Sequence, residues 1–91
     1  MATRSRTQSD LPVPPGELLE EELAERGMTQ KELAELMGRP YQVISEIVRD
    51  KKRITAETAL DLEQALGISA HLWLNLEADY QLTKARLRRK P

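Results

Sequence analysis

The chain has 91 residues, 14 Lys and Arg against 15 Asp and Glu, and a formal charge of −1, enough for one small domain with one core and too little for two. It has no cysteine and one histidine, His71, which excludes disulfide scaffolds, thiolate zinc sites, cysteine nucleophiles and paired-His metal sites. No apolar run approaches the ~18 residues of a membrane span and the N-terminus lacks the apolar core of a secretory signal, so a cytoplasmic location is expected.

Leu, Ala and Glu are abundant, Phe is absent, and no alternating β-branched run occurs, so the fold class expected is all-α, with five helices. Residues 1–13 are polar and then proline-rich, and are expected to form a disordered arm. The prolines of LPVPPG cannot lie inside a helix, so the first helix can begin only at about Gly16 or Glu17. It runs to Arg26, with Gly27 as its stop. Leu18, Leu19 and Leu23 face inward and Glu17, Glu20, Glu21 and Glu25 stay in water, most simply as a solvated acidic face.

Met28 to Arg53, MTQKELAELMGRPYQVISEIVRDKKR, has the pattern of helix, tight turn and helix. Thr29 is an N-cap, Glu32 closes a capping box, and Met28 is placed to staple against Leu33. Leu33, Leu36 and Met37 form the apolar positions, and Gly38 supplies the left-handed residue that ends the helix. A second helix begins near Pro40, with Val43, Ile44, Ile47 and Val48 as its apolar stripe. Its other face carries Tyr41, Gln42, Ser45, Glu46 and Arg49. Two helices crossing at about 90–120° through so short a turn need a small residue at their approach, and Ala34 occupies that position. The joint pattern of Gln30, Ala34, Gly38, Ile44 and Ile47 resembles the Cro/C1-type (XRE) helix-turn-helix family, which implies a five-helix lambda-repressor-like domain that reads DNA.

The remaining elements follow in the same manner. Asp50 to Arg53 is a basic turn. Thr55 caps a fourth helix, with Ala59, Leu62 and Leu66 inward and Gly67 at its end. Ser69 caps the fifth, with Ile68 placed to staple against Trp73 and an apolar stripe of Leu72, Trp73, Leu76 and Tyr80. So many large groups serve either plain core packing or a two-fold partner, with Trp73, Leu76 and Tyr80 as the candidate dimer interface. The domain is expected over 14–83, and 84–91 is expected to be a basic helical fray or tail.

Charge is segregated along the chain. Glu17 to Arg26 has five Glu and one Arg, whereas Arg39 to Arg53 has five basic and two acidic residues. Thr55 to Tyr80 is purely acidic and Lys84 to Lys90 purely basic. The basic block therefore coincides with the second helix of the motif, which matters more than the sum.

These positions assign DNA roles. Gln42 suits an adenine edge, Tyr41 a thymine methyl, and Ser45 faces the same groove; Glu46 can accept from cytosine or orient Arg49 or another basic side chain. Thr29 and Gln30, at a helix N-terminus, are placed for a phosphate, and Arg39, Arg49, Lys51, Lys52 and Arg53 supply salt-dependent grip. No catalytic constellation, cofactor motif or small-molecule site is evident, so a non-enzyme is expected.

The resemblance extends beyond the motif. PPGELLEEELAERGMTQKELAELMG, VISEIVRDKKRITAETALDLEQALG and LWLNLEADYQLTKAR together resemble the HigA (VapI-like) antitoxin family over about Pro14 to Arg86. Pro14 stands where that family has His, and Asp50 where it has Gly; Asp tolerates the left-handed region, so the turn is expected to survive. The resemblance implies a type II toxin–antitoxin module: repression of its own operon as a homodimer on a palindromic operator, and silencing of HigB, a RelE-like mRNA nuclease. A basic toxin would suit the acidic helix, through Glu17, Glu20, Glu21 and Glu25. The alternatives are a stand-alone repressor of the same fold and the N-terminal part of a longer regulator.

Overall fold

The computed structural model describes residues 12–89, which form five α-helices. They are α1 (Pro15–Arg26), α2 (Gln30–Met37), α3 (Tyr41–Val48), α4 (Ala56–Leu66) and α5 (Ala70–Arg89). Most of the expected N-terminal arm lies outside the described residues.

Local chemistry sets these boundaries. Pro14 is the N-cap of α1 and Pro15 its first residue, one position earlier than the sequence implies, because proline's missing N–H costs nothing in a first turn. The capping box of α2 is formed: Glu32 N–H donates to Thr29 Oγ1 at 3.0 Å and Thr29 N–H to Glu32 Oε1 at 2.9 Å. Gly38 closes α2 at φ 67°, where its missing Cβ removes the steric penalty. Thr55 caps α4 by accepting from Thr58 N–H at 3.3 Å, and Ser69 Oγ accepts from His71 N–H at 3.1 Å.

Helix α2 packs on α3 and α4, α1 on α3 and α5, and α4 on α5. Leu19, Leu23, Leu33, Ala34, Ile44, Ile47, Ile54, Ala59, Leu62, Leu66 and Trp73 make one continuous core, with Met28 and Ile68 packed against it at the two staple positions. The α1–α3 crossing is tight enough that a Cβ on Gly16 would lie 2.1 Å from the carbonyl oxygen of Ile47. Arg26 ties α1 to α4 by donating to the Leu66 carbonyl at 2.8 Å, a cation at the negative end of a helix.

Two expectations are corrected here. Leu36 is exposed, because it stands at the rim of an open cleft between α2 and α4 that Asp61, Gln64 and Ala65 also line, rather than inside the packed seam. Trp73 and Tyr80 are 1% and 7% exposed, so the chain's own core consumes two of the three residues assigned to a dimer interface. Leu76 alone of the three remains partly exposed. Residues 84–89 continue α5 as helix, the helical one of the two forms expected for this basic stretch, since Lys, Ala, Arg and Leu are good helix formers and no Gly or Pro interrupts them; residues 90 and 91 lie outside the described residues.

Candidate nucleic-acid interface

Helix α3 is held by its apolar side and exposes the other. Ile44 and Ile47 are fully buried, with Val43 and Val48 packed against the same core. Period 3.6 then turns Tyr41, Gln42, Ser45, Glu46 and Arg49 outward. Tyr41 is half-exposed, Gln42 and Arg49 exposed, and Ser45 and Glu46 partly covered.

These side chains are arranged by bonds among themselves. Gln42 Nε2 donates to Glu46 Oε2 at 3.4 Å, one helical turn away. Arg49 Nε is 3.2 Å from Ser45 Oγ and 3.3 Å from the Ser45 carbonyl. Among the described residues Glu46 pairs with neither Arg49 nor another basic side chain, the orienting role expected for it; its partner is the Gln42 amide. Fixing the Gln42 amide by its donor end gives the exposed face a defined hydrogen-bonding pattern.

The cations divide into two groups. Lys51, Lys52 and Arg53 are exposed and have no carboxylate partner among the described residues. Arg39 is engaged with α4: its Nε and one terminal nitrogen both lie 2.7 Å from Asp61 Oδ2, and Glu57 is 3.8 Å away. This pair is partly shielded and joins α2's end to α4, so Arg39 is occupied as a structural clamp in the unbound chain. At the start of α2, Thr29 is occupied by the capping box, and Gln30 is half-buried with Oε1 enclosed and unbonded. A phosphate takes a donor, so the enclosed oxygen is not the end of Gln30 that a phosphate needs.

The basic turn is fixed by α5, which the sequence did not reveal. Asp50 adopts φ 60°, the sole non-glycine residue with positive φ among those described. Its carboxylate accepts a hydrogen bond from the Tyr80 hydroxyl. Glu77, one turn earlier on α5, accepts from Ile54 N–H at 2.9 Å through Oε1 and from Gln81 Nε2 at 2.7 Å through Oε2. Burial, the bond to Asp50, and the charges of Asp50 and then Glu77 push the Tyr80 pKa up to about 12. The hydroxyl therefore stays a donor over the whole physiological range. The i, i+3 spacing of Glu77 and Tyr80 was visible; their partners in the turn, 23 and 30 residues away, were not.

Residues 19–73, more than half of the chain, match the helix-turn-helix family. Virulence-associated protein I of Dichelobacter nodosus is 42% identical over 72 residues, covering 78% of this chain and 67% of that protein. Antitoxin HigA-1 of Vibrio cholerae is 37% identical over 78 residues, covering 85% of this chain and 73% of that one. The chain belongs to the helix-turn-helix family that contains the HigA antitoxins. A solved structure of Pseudomonas aeruginosa antitoxin HigA with the higBA promoter superimposes with a TM-score of 0.81 at 32% identity, covering 85% of each chain. The five-helix architecture expected for the HigA family is thus the one observed. No helix among the described residues is long and apolar enough to cross a membrane.

Proposed function

We propose that this protein is the antitoxin of a type II toxin–antitoxin module: a non-enzymatic cytoplasmic repressor that binds its own operator as a homodimer and neutralises a RelE-like mRNA nuclease. The observation that carries the DNA half is the placement of Tyr41, Gln42, Ser45 and Glu46 on the outer face of a helix whose end opens into Lys51, Lys52 and Arg53. Reading groups and phosphate-binding charge then meet one duplex together. Arg49 adds to the grip, and Arg39 joins it only on leaving Asp61. Thr29 and the donor end of Gln30 mark the N-terminus of α2, where the helix dipole favours a phosphate.

With Trp73 and Tyr80 in the core, the two-fold contact falls to Leu76 together with exposed Leu72, one turn before it on α5. The antitoxin half is supported by similarity to HigA-1 along most of both chains. The toxin-facing surface is the acidic side of α1, where Glu17, Glu20, Glu21 and Glu25 are exposed and steer a basic partner.

The test is co-expression with the product of the adjacent reading frame. The expected result is a co-purifying complex that restores growth, together with binding of the chain to the promoter duplex of the pair. Promoter binding without toxin rescue identifies a stand-alone repressor instead. Charge reversal at Glu20 and Glu21 is expected to slow toxin association and reduce its salt sensitivity, and an unchanged on-rate removes this face from consideration.

A further inference from the structure

Helix α5 reaches the basic turn with more than Glu77 and Tyr80. Beside the basic turn lies a cleft of about 180 Å³ lined by Asp50, Lys51, Lys52, Arg53, Gln81 and Lys84. Its four cations come from two elements far apart in sequence. The single acid, Asp50, has its carboxylate engaged by Tyr80. Lys84 Nζ sits 4.6 Å from the centroid of the Tyr80 ring, an arrangement that orders an ammonium without neutralising it. Among the described residues Lys84 has no carboxylate partner. One ring therefore fixes both the turn, through its hydroxyl, and the lysine, through its face.

We propose that this cleft holds a phosphodiester of duplex DNA, and that Lys84 is a backbone contact completing the site begun by Lys51, Lys52 and Arg53. The inference rests on the DNA-binding reading above and extends it to α5. The partner follows from the chemistry: four cations without a carboxylate partner among the described residues, beside a turn that borders α3, suit a repeating polyanion rather than a neutral or basic protein surface. Gln81 lines the cleft wall, with its amide nitrogen already donating one hydrogen bond to Glu77. Arg88 follows Lys84 by four residues, on the same side of α5 and about 6 Å further along.

The experiment measures binding to the promoter duplex of its own gene and to a random duplex as salt is varied, for wild type, Lys84→Gln and Arg86→Gln. Arg86 lies two residues from Lys84, on the opposite side of α5, and removes the same charge. Losing one phosphate contact is expected to lower the slope of log K against log salt by about 0.9, so the wild-type advantage over Lys84→Gln shrinks about threefold between roughly 50 and 200 mM salt. The loss is expected to be equal on both duplexes, with Arg86→Gln retaining the wild-type slope. An unchanged slope for Lys84→Gln, or an equal fall for Arg86→Gln, overturns the assignment. Wild type that binds neither duplex overturns the DNA-binding reading itself, and this inference with it.

Discussion

The Tyr80 hydroxyl, in the middle of α5, donates to the carboxylate of Asp50, the residue that carries the left-handed bend after α3. A hydrogen bond to a charged group contributes roughly 1.5–3 kcal/mol, whereas left-handed backbone costs a residue with a side chain at most about 1–2 kcal/mol, and Asp less than most. The bond therefore offsets the strain. Tyr80→Phe is expected to lower unfolding stability by about 1.5 kcal/mol. In an Asp50→Gly background, where the strain and the acceptor are both absent, the same change is expected to cost little. Urea denaturation of the four proteins of this cycle measures the coupling, and equal losses in both backgrounds would show that the bond contributes nothing to the turn.

The same pair sets a response to alkali. The folded-state pKa of Tyr80 is raised from its ordinary value of 10.0 to about 12, with burial as the largest cause. The neutral phenol is thus favoured by folding, so its contribution is complete below pH 10 and is lost as pH rises through about 12. Between those limits the melting temperature of wild type is expected to fall more steeply than that of Tyr80→Phe.

Gly16 admits no side chain. A Cβ there would meet the Ile47 carbonyl oxygen at 2.1 Å and Val48 Cα at 2.9 Å, both main-chain atoms that cannot rotate aside. Gly16→Ala is expected to cost about 3 kcal/mol or more, at the upper end for overpacking, despite alanine's better helix propensity. Thermal unfolding decides it, and a gain in stability would mean that α1 does not rest on α3 in solution.

On the reading face, Gln42→Ala is expected to reduce preference for the cognate promoter by about 1–3 kcal/mol while changing random-DNA affinity little. Glu46→Ala frees the Gln42 amide and is expected to blur that preference by a smaller amount. Competition binding against random duplex separates the outcomes: equal loss of both affinities with Gln42→Ala identifies a general contact instead.

Much of this was legible because it is local. Thr29 with Glu32, Gly38 and the tolerance of Asp50 for positive φ each depend on a few neighbouring residues, and each is found as the sequence implied. What was not legible depends on distance along the chain. Periodicity marked Trp73 and Tyr80 as apolar positions but could not say that α5 folds them into its own core. The charge of Arg39 pointed outward to DNA until Asp61, 22 residues on, was placed beside it. Gly16 reads in sequence as a helix start, since nothing nearby announces a crossing helix.

The seat of α1 on α3 has one more consequence. Gly16 meets the peptide backbone of Ile47 and Val48, atoms that every residue type shares, and not the outward side chains of the reading helix. The support is blind to what α3 displays. Tyr41, Gln42 and Ser45 can therefore be exchanged for other groups without loosening the mount that aims them, and under the proposed DNA-reading role such exchanges would readdress the head to new DNA words while the frame stays unchanged.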